Sequence, residues 1–249
     1  MFALLITTEI AGCQPTTESA GRQLVSDFVD FNKNIVSVDT LKIILAFVPL
    51  YTVARVFDKQ THNYFYCHKH HKNKHQLPTC AYHGVDVGLG IVMVSLASLA
   101  FFGSEERIRH TGRLYIETLP YTWVIKKILK EIKFGGCERP KNEWFCKNKT
   151  VYGGCPSGHM MEMVYTTLLF GKQLGPKVGV PLALFTAAVG LEFVNCNRHY
   201  LSQIVAGVAL GVIFGSAANK IIDAADRYDC SVRIVPDGNS SALRAEYNF

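Results

Sequence analysis

Two short segments carry residues whose types and spacing could do chemistry on an oxyanion. The first is Pro156-Ser157-Gly158-His159, directly before a helical pattern. A Ser-Gly turn opening a helix presents backbone N–H groups and a hydroxyl to an anion, helped by the helix dipole. An imidazole at His159, in the first turn, could protonate a leaving oxygen. The second is Asn197-Arg198-His199-Tyr200-Leu201-Ser202-Gln203, which opens the last long apolar run. A nucleophilic His199 needs one ring nitrogen free and the other held by an acceptor. Gln203, one helical turn later, shares its face and could supply that acceptor.

A third segment, Lys133-Phe-Gly-Gly-Cys-Glu-Arg139-Pro140, places two cations near one turn. Arg can clamp phosphate oxygens in a bidentate fork and Lys can add a point charge. Taken singly, each segment also fits an ordinary capped or terminated helix. Taken together, they define phosphate chemistry far more narrowly.

The elements that would position these groups are helices. Apolar segments run over roughly 40–56, 86–104, 111–130, 159–174, 178–195 and 200–222, all longer than usual strands and mostly without period-two alternation. An all-α bundle of about six helices is the economical reading. Residues 1–38 form a polar lead-in, loosely packed; residues 39–223 form the helical domain; residues 224–249 form a polar, frayed tail. Ile10-Ala11-Gly12-Cys13 is similar to a lipoprotein cleavage box, although no Lys or Arg precedes it and Glu9 interrupts the apolar run.

Composition narrows the partners. The chain has 249 residues, 49% hydrophobic and 18% charged, with net charge +6 and mean hydropathy +0.13. The charge favours anionic partners, but no Lys/Arg run is long enough for a nucleic-acid stripe, so nucleic acid is not expected. Two or three membrane spans, or an apolar bundle resting on the membrane, fit the charge-free runs best. Eight cysteines without C-x-x-C pairs fit either disulfides in an oxidising envelope compartment or buried thiols. The segment from His62 to His83 is rich in His and Cys. It reads more readily as a solvated basic loop, closed by a Cys67–Cys80 bridge, than as a metal site, because no fixed ligand spacing occurs. Its Lys69, Lys72 and Lys74 could attract anionic headgroups.

The three segments together resemble the signature of the type 2 phosphatidic acid phosphatase family, which shares its core with vanadium haloperoxidases. The resemblance covers roughly residues 85–222. It implies an all-α phosphatase hydrolysing a phosphomonoester or pyrophosphate, with a lipid phosphate as substrate, without a metal or other cofactor. It implies His199 as nucleophile forming a phosphohistidine and His159 as general acid, with Gln203 orienting His199. Lys133, Arg139, Ser157, Gly158 and Arg198 would bind the phosphoryl oxygens. It places the protein at the membrane in the cell envelope, the site facing the periplasm or exterior, with a soluble periplasmic protein as the alternative.

Three positions depart from the family pattern. Lys133 precedes Arg139 with five intervening residues where the family has six, and Lys130 is the second lysine in reach. Phe193 stands where the family has an Arg, and Gln203 where it has an Asp. A neutral amide can orient an imidazole but cannot stabilise its cation by charge. A catalytically weak or inactive phospholipid-binding protein is therefore an alternative, as is vanadate-dependent halide oxidation. On this reading, Gln203→Asp would switch activity on.

Overall fold

In the computed structural model, which describes residues 17–74, 84–133, 135–144, 146–228, 230–237 and 240–247, the chain is mostly helical. The helices are α1 (Thr17–Ile35), α2 (Val38–Phe65), α3 (Gly84–Ala97), α4 (Leu99–Phe102), α5 (Glu106–Glu131), α6 (Gly158–Gln173), α7 (Pro176–Asn195) and α8 (Leu201–Tyr228). Two antiparallel hairpins complete it: β1 (Tyr66–Cys67) with β2 (Lys72–Asn73), and β3 (Cys230–Asp237) with β4 (Ser240–Tyr247). The long helices α2, α3, α5, α6, α7 and α8 alternate in direction. As a result, the α2–α3, α5–α6 and α7–α8 connections meet at one end of the bundle.

Two stretches read as irregular are ordered elements. Residues 17–35 form α1, whose Phe31 is fully buried. Phe31 stacks on Phe214 at 6.2 Å and meets Tyr121 edge-on at 6.1 Å. The supposed tail continues α8 to Tyr228 and then forms the β3–β4 hairpin. The Ile10–Cys13 segment lies outside the described residues.

The core fills the half of the bundle away from the shared loops. Leu114 and Tyr115 of α5, Met161, Tyr165 and Leu169 of α6, and Phe214 of α8 are all buried there. Polar atoms in this core are paired, as burial demands: the Tyr115 hydroxyl meets Thr166 Oγ1 at 2.8 Å, and the Thr118 hydroxyl meets that of Tyr165.

Helices α6 and α8 approach with almost no side chain between them. A Cβ at Gly207 would sit 2.4 Å from the Ser157 carbonyl oxygen. One at Gly211 would sit 2.6 Å from Val164 Cβ and 2.7 Å from the Met161 carbonyl, and one at Gly215 2.8 Å from Leu168 Cβ. Three glycines at i, i+4 and i+8 thus form a groove into which α6 fits, a packing common where helices associate in apolar surroundings. Gly211→Ala is expected to destabilise the protein by about 1–3 kcal/mol through overpacking. Thermal unfolding in detergent checks this against Gly90→Ala, where a Cβ meets nothing within 4 Å and the helix gains propensity.

Among the described residues, four helices are long and apolar enough to cross a membrane: Val38–Phe65, Gly84–Phe102, Pro176–Asn195 and Leu201–Ala225. This exceeds the two or three spans expected from the sequence. α2 runs on to Phe65, past the charges at Arg55 and Asp58, and α7 extends through Glu192. Much of the outer surface of α2 and α3 is apolar and exposed, including Leu41, Leu45, Val56, Ile91 and Val94.

Candidate active site

The α7–α8 turn is the hub of the shared end. Asn197 adopts a left-handed backbone conformation, φ 52°, which Asn tolerates better than most residues. Its side-chain oxygen meets His62 Nδ1 at 2.8 Å, and its amide donates to Asn73 Oδ1 at 3.0 Å. Its carbonyl accepts from Asn142 Nδ2 at 3.1 Å. Thus α2, the β1–β2 hairpin and the α5–α6 connection all grip this turn. His62 and Asn73, part of the histidine-rich stretch, serve as struts here. Cys67 is a free thiol, so the 67–80 bridge is not made. No group of three potential metal ligands occurs among the described residues; His75, Cys80 and His83 lie outside them.

The first turn of α8 is fixed by a carboxylate from α2. Asp58, buried, accepts the Ser202 amide at 2.9 Å, the Ser202 hydroxyl at 2.5 Å and Arg55 at 3.0 Å. It caps α8 from a neighbouring helix, satisfying an amide that the helix cannot.

His199 emerges from this scaffold, 3% exposed. Its Nδ1 lies 2.8 Å from the Gly154 carbonyl oxygen and 3.2 Å from Gln203 Oε1. A carbonyl oxygen can only accept, so Nδ1 carries the proton and the lone pair of the neutral ring is on Nε2. Burial, and then the charges of Arg139 and Lys130, push the His199 imidazolium well below the usual histidine range.

Gln203 does more than face His199. Its Nε2 donates to the Gly136 carbonyl at 2.9 Å and to the Glu138 carbonyl at 2.7 Å, while its Oε1 also accepts from the Tyr200 amide at 3.2 Å. Its own carbonyl accepts from the Ser157 amide at 3.0 Å. One residue therefore ties together the loop of Arg139, the turn of Ser157 and the ring of His199.

At the head of α6, Ser157 is fully buried, and its hydroxyl has no hydrogen-bond partner among the described residues. An orphaned buried hydroxyl is costly, and one at a helix N-terminus suits an incoming anion. A Cβ at position 158 would lie 2.4 Å from Lys126 Cδ, so any residue but glycine there would displace the lysine side chain. The Lys126 side chain crosses this face to pair with Glu162.

His159, on the same turn, meets Phe193 with tilted rings 5.2 Å apart, and Phe193 also meets His199 at 5.9 Å. The Arg198 guanidinium lies 4.6 Å over the Phe193 ring. Arg198 thus reaches the place that Phe193 cannot serve with charge, arriving from the turn instead of from α7. Its NH2 contacts both oxygens of Asp86, at 3.2 and 3.3 Å. The same carboxylate lies 3.2 Å from His159 Nε2. Asp86 and Asp58 carry no motif signal; only the folded chain brings them to the site.

Arg139 is held within hydrogen-bond range of the Arg198 and Gly153 carbonyls, both at 3.4 Å, and its amide donates to Val151 at 2.7 Å. The two lysines exchange the order that motif spacing suggested. Lys133, beyond the end of α5, is exposed and lies 5.8 Å over the Tyr152 ring. Lys130, still on α5, faces inward: its charge acts on His199 and His159. Burial, and then Arg139, push its ammonium down to about 8.

Residues 112–227 match the PAP2 superfamily, so this segment of the chain is similar to that superfamily. A solved transmembrane PAP2 type phosphatidylglycerolphosphate phosphatase from Bacillus subtilis is similar at a TM-score of 0.45 and 16% identity, over 82% of this chain and 98% of that one. No curated protein matches.

Proposed function

We propose that this protein is a membrane-embedded phosphatase that cleaves a lipid phosphomonoester or pyrophosphate through a phosphohistidine. The observation that carries the reading is the tautomer of His199: Nδ1 is committed to the Gly154 carbonyl, which leaves Nε2 with the lone pair. In the first step Nε2 attacks phosphorus as the bond to the leaving oxygen breaks, and His159 gives that oxygen its proton. In the second, His159 takes a proton from water, the water oxygen bonds to phosphorus, and the P–N bond returns its electrons to the imidazole. The products are an alcohol, or a shorter phosphate, and inorganic phosphate.

Charge developing on the three equatorial oxygens would be met by Arg139, Arg198, Lys130, the Ser157 hydroxyl and the Gly158 amide. Preorganised cations and N–H groups supply most of the catalysis in phosphoryl transfer. Binding of a dianion would also offset the cations that strip the proton from His159.

The lipid substrate is supported by an apolar cavity of about 320 Å³ between α2, α5 and α8, open to the outside. Phe47, Val48, Leu129 and Val205 line it, and Cys155 and Pro156 bring it next to Ser157. An acyl or isoprenoid chain could lie there with its headgroup at the histidines. Trp144 and Tyr152 are exposed on the loop carrying Arg139, as suits side chains at a membrane–water boundary. We take that end to face the periplasm or exterior.

The test is rapid-quench trapping in detergent with chelator present, using phosphatidic acid, an isoprenyl pyrophosphate and a soluble phosphomonoester. The expected result is a burst of acid-labile, base-stable phosphate on the protein that maps to His199. Turnover with no labelled histidine, or no release from any of the three, would overturn the reading.

A further inference from the structure

The α3 helix contributes no signature motif, yet its first turn places a carboxylate between two charged groups of the site. Asp86 Oδ1 lies 3.2 Å from His159 Nε2 and 3.2 Å from Arg198 NH2, and Oδ2 lies 3.3 Å from the same guanidinium nitrogen. The carboxylate is about one-third exposed, as is His159, whereas Arg198 is almost buried. The cluster is therefore partly open to the outside.

We propose that Asp86 is a positioning residue for the reaction, orienting the charged ring of His159 as the acid that protonates the leaving oxygen. This rests on the reading of His159 as general acid.

The electrostatics around His159 give the carboxylate a task. Burial of the ring disfavours its protonated form first, followed by Arg198 from the α7–α8 turn, with Lys126 and Lys130 from α5 acting the same way. His199 lies on the far side of Phe193 and adds no negative charge. Glu162, on α6 itself, is engaged by Lys126. Against these cations stands Asp86, which favours the charged ring. An acid that has lost its proton cannot assist an alkoxide, so a carboxylate 3.2 Å away supports the working state of the residue. A proton from His159 matters in proportion to how poor the leaving group is. Glycerol or isoprenyl oxygens need it; a nitrophenolate does not.

Asp86→Asn keeps the shape of the side chain and removes its charge. The full-length protein in detergent is assayed with phosphatidic acid and with p-nitrophenyl phosphate, across pH. With phosphatidic acid, kcat is expected to fall about 10- to 100-fold, part of the roughly 10²- to 10⁴-fold that general acid catalysis contributes. With p-nitrophenyl phosphate, the fall is expected to be no more than about threefold. The sign of the pH effect follows: losing the carboxylate lowers the proton affinity of His159, so the alkaline limb for phosphatidic acid moves to lower pH. Asp86→Glu should recover part of the loss.

His159→Ala, run alongside, separates the two ideas. If it spares p-nitrophenyl phosphate while Asp86→Asn costs both substrates equally with no shift of the limb, Asp86 is only a pin for α3 and the proposal fails alone. If His159→Ala itself costs both equally, the general-acid role is wrong and the proposal falls with it. A melting temperature for Asp86→Asn close to that of the parent protein excludes misfolding as the source of any loss.

Discussion

His199→Ala is expected to abolish turnover, lowering kcat by on the order of 10⁴- to 10⁶-fold, the scale seen when a covalent nucleophile is removed. The expectation depends on where the ring's two nitrogens are spent. Nδ1 donates to the Gly154 carbonyl and Gln203, so the ring cannot turn over without orphaning a buried acceptor. Among the described histidines, His159 is engaged by Asp86, and His62 by Asn197. The measurement is phosphate release together with binding of a labelled lipid phosphate. Binding should persist in the variant, because Arg139, Lys130 and Ser157 remain. Residual turnover within a factor of ten of the parent would exclude His199 as nucleophile.

Gln203→Asp is the second large effect, and its expected direction reverses what the sequence suggests. Motif comparison makes an aspartate here the restoring change. In the folded protein, the Gln203 amide nitrogen donates to two backbone carbonyls, of Gly136 and Glu138. A carboxylate in that place is shorter by one carbon and would aim charge at two carbonyl oxygens. Leaving two buried acceptors unpaired costs about 1–3 kcal/mol each. The Arg139 loop would be released from the turn that carries His199. We expect kcat to fall about 100-fold or more, by analogy with other changes that misplace catalytic groups, and the melting temperature to drop. Raised activity in Gln203→Asp would mean that the amide is a handicap to charge stabilisation and not a strut.

The contrast shows what was legible in the sequence. The long helices were readable because their apolar runs exceed strand length and are broken by polar loops. α1 was missed because Leu24, Phe28 and Phe31 sit among charged neighbours; only the fully buried Phe31 reveals its inward face. At the site, Ser157, His159, Arg198 and His199 were readable as short motifs with a local logic. Asp86 and Asp58 were not: Asp86 meets Arg198 across 112 positions and Asp58 meets Ser202 across 144, and an isolated Asp in an apolar helix has no local pattern to betray it. Lys130 was ranked below Lys133 because spacing within a motif says nothing of where a helix stops. α5 runs to Glu131, which turns Lys130 inward and leaves Lys133 past the end.

The glycine groove between α6 and α8 bears on how this protein can change over generations. His159 and His199 stand at the heads of the two helices that touch through Gly207, Gly211 and Gly215. Their separation is therefore gauged by main chain against main chain, which no drift in side-chain volume elsewhere can retune. Residues on the outward surfaces of α2 and α3 can be exchanged among aliphatics while His159 and His199 keep their spacing.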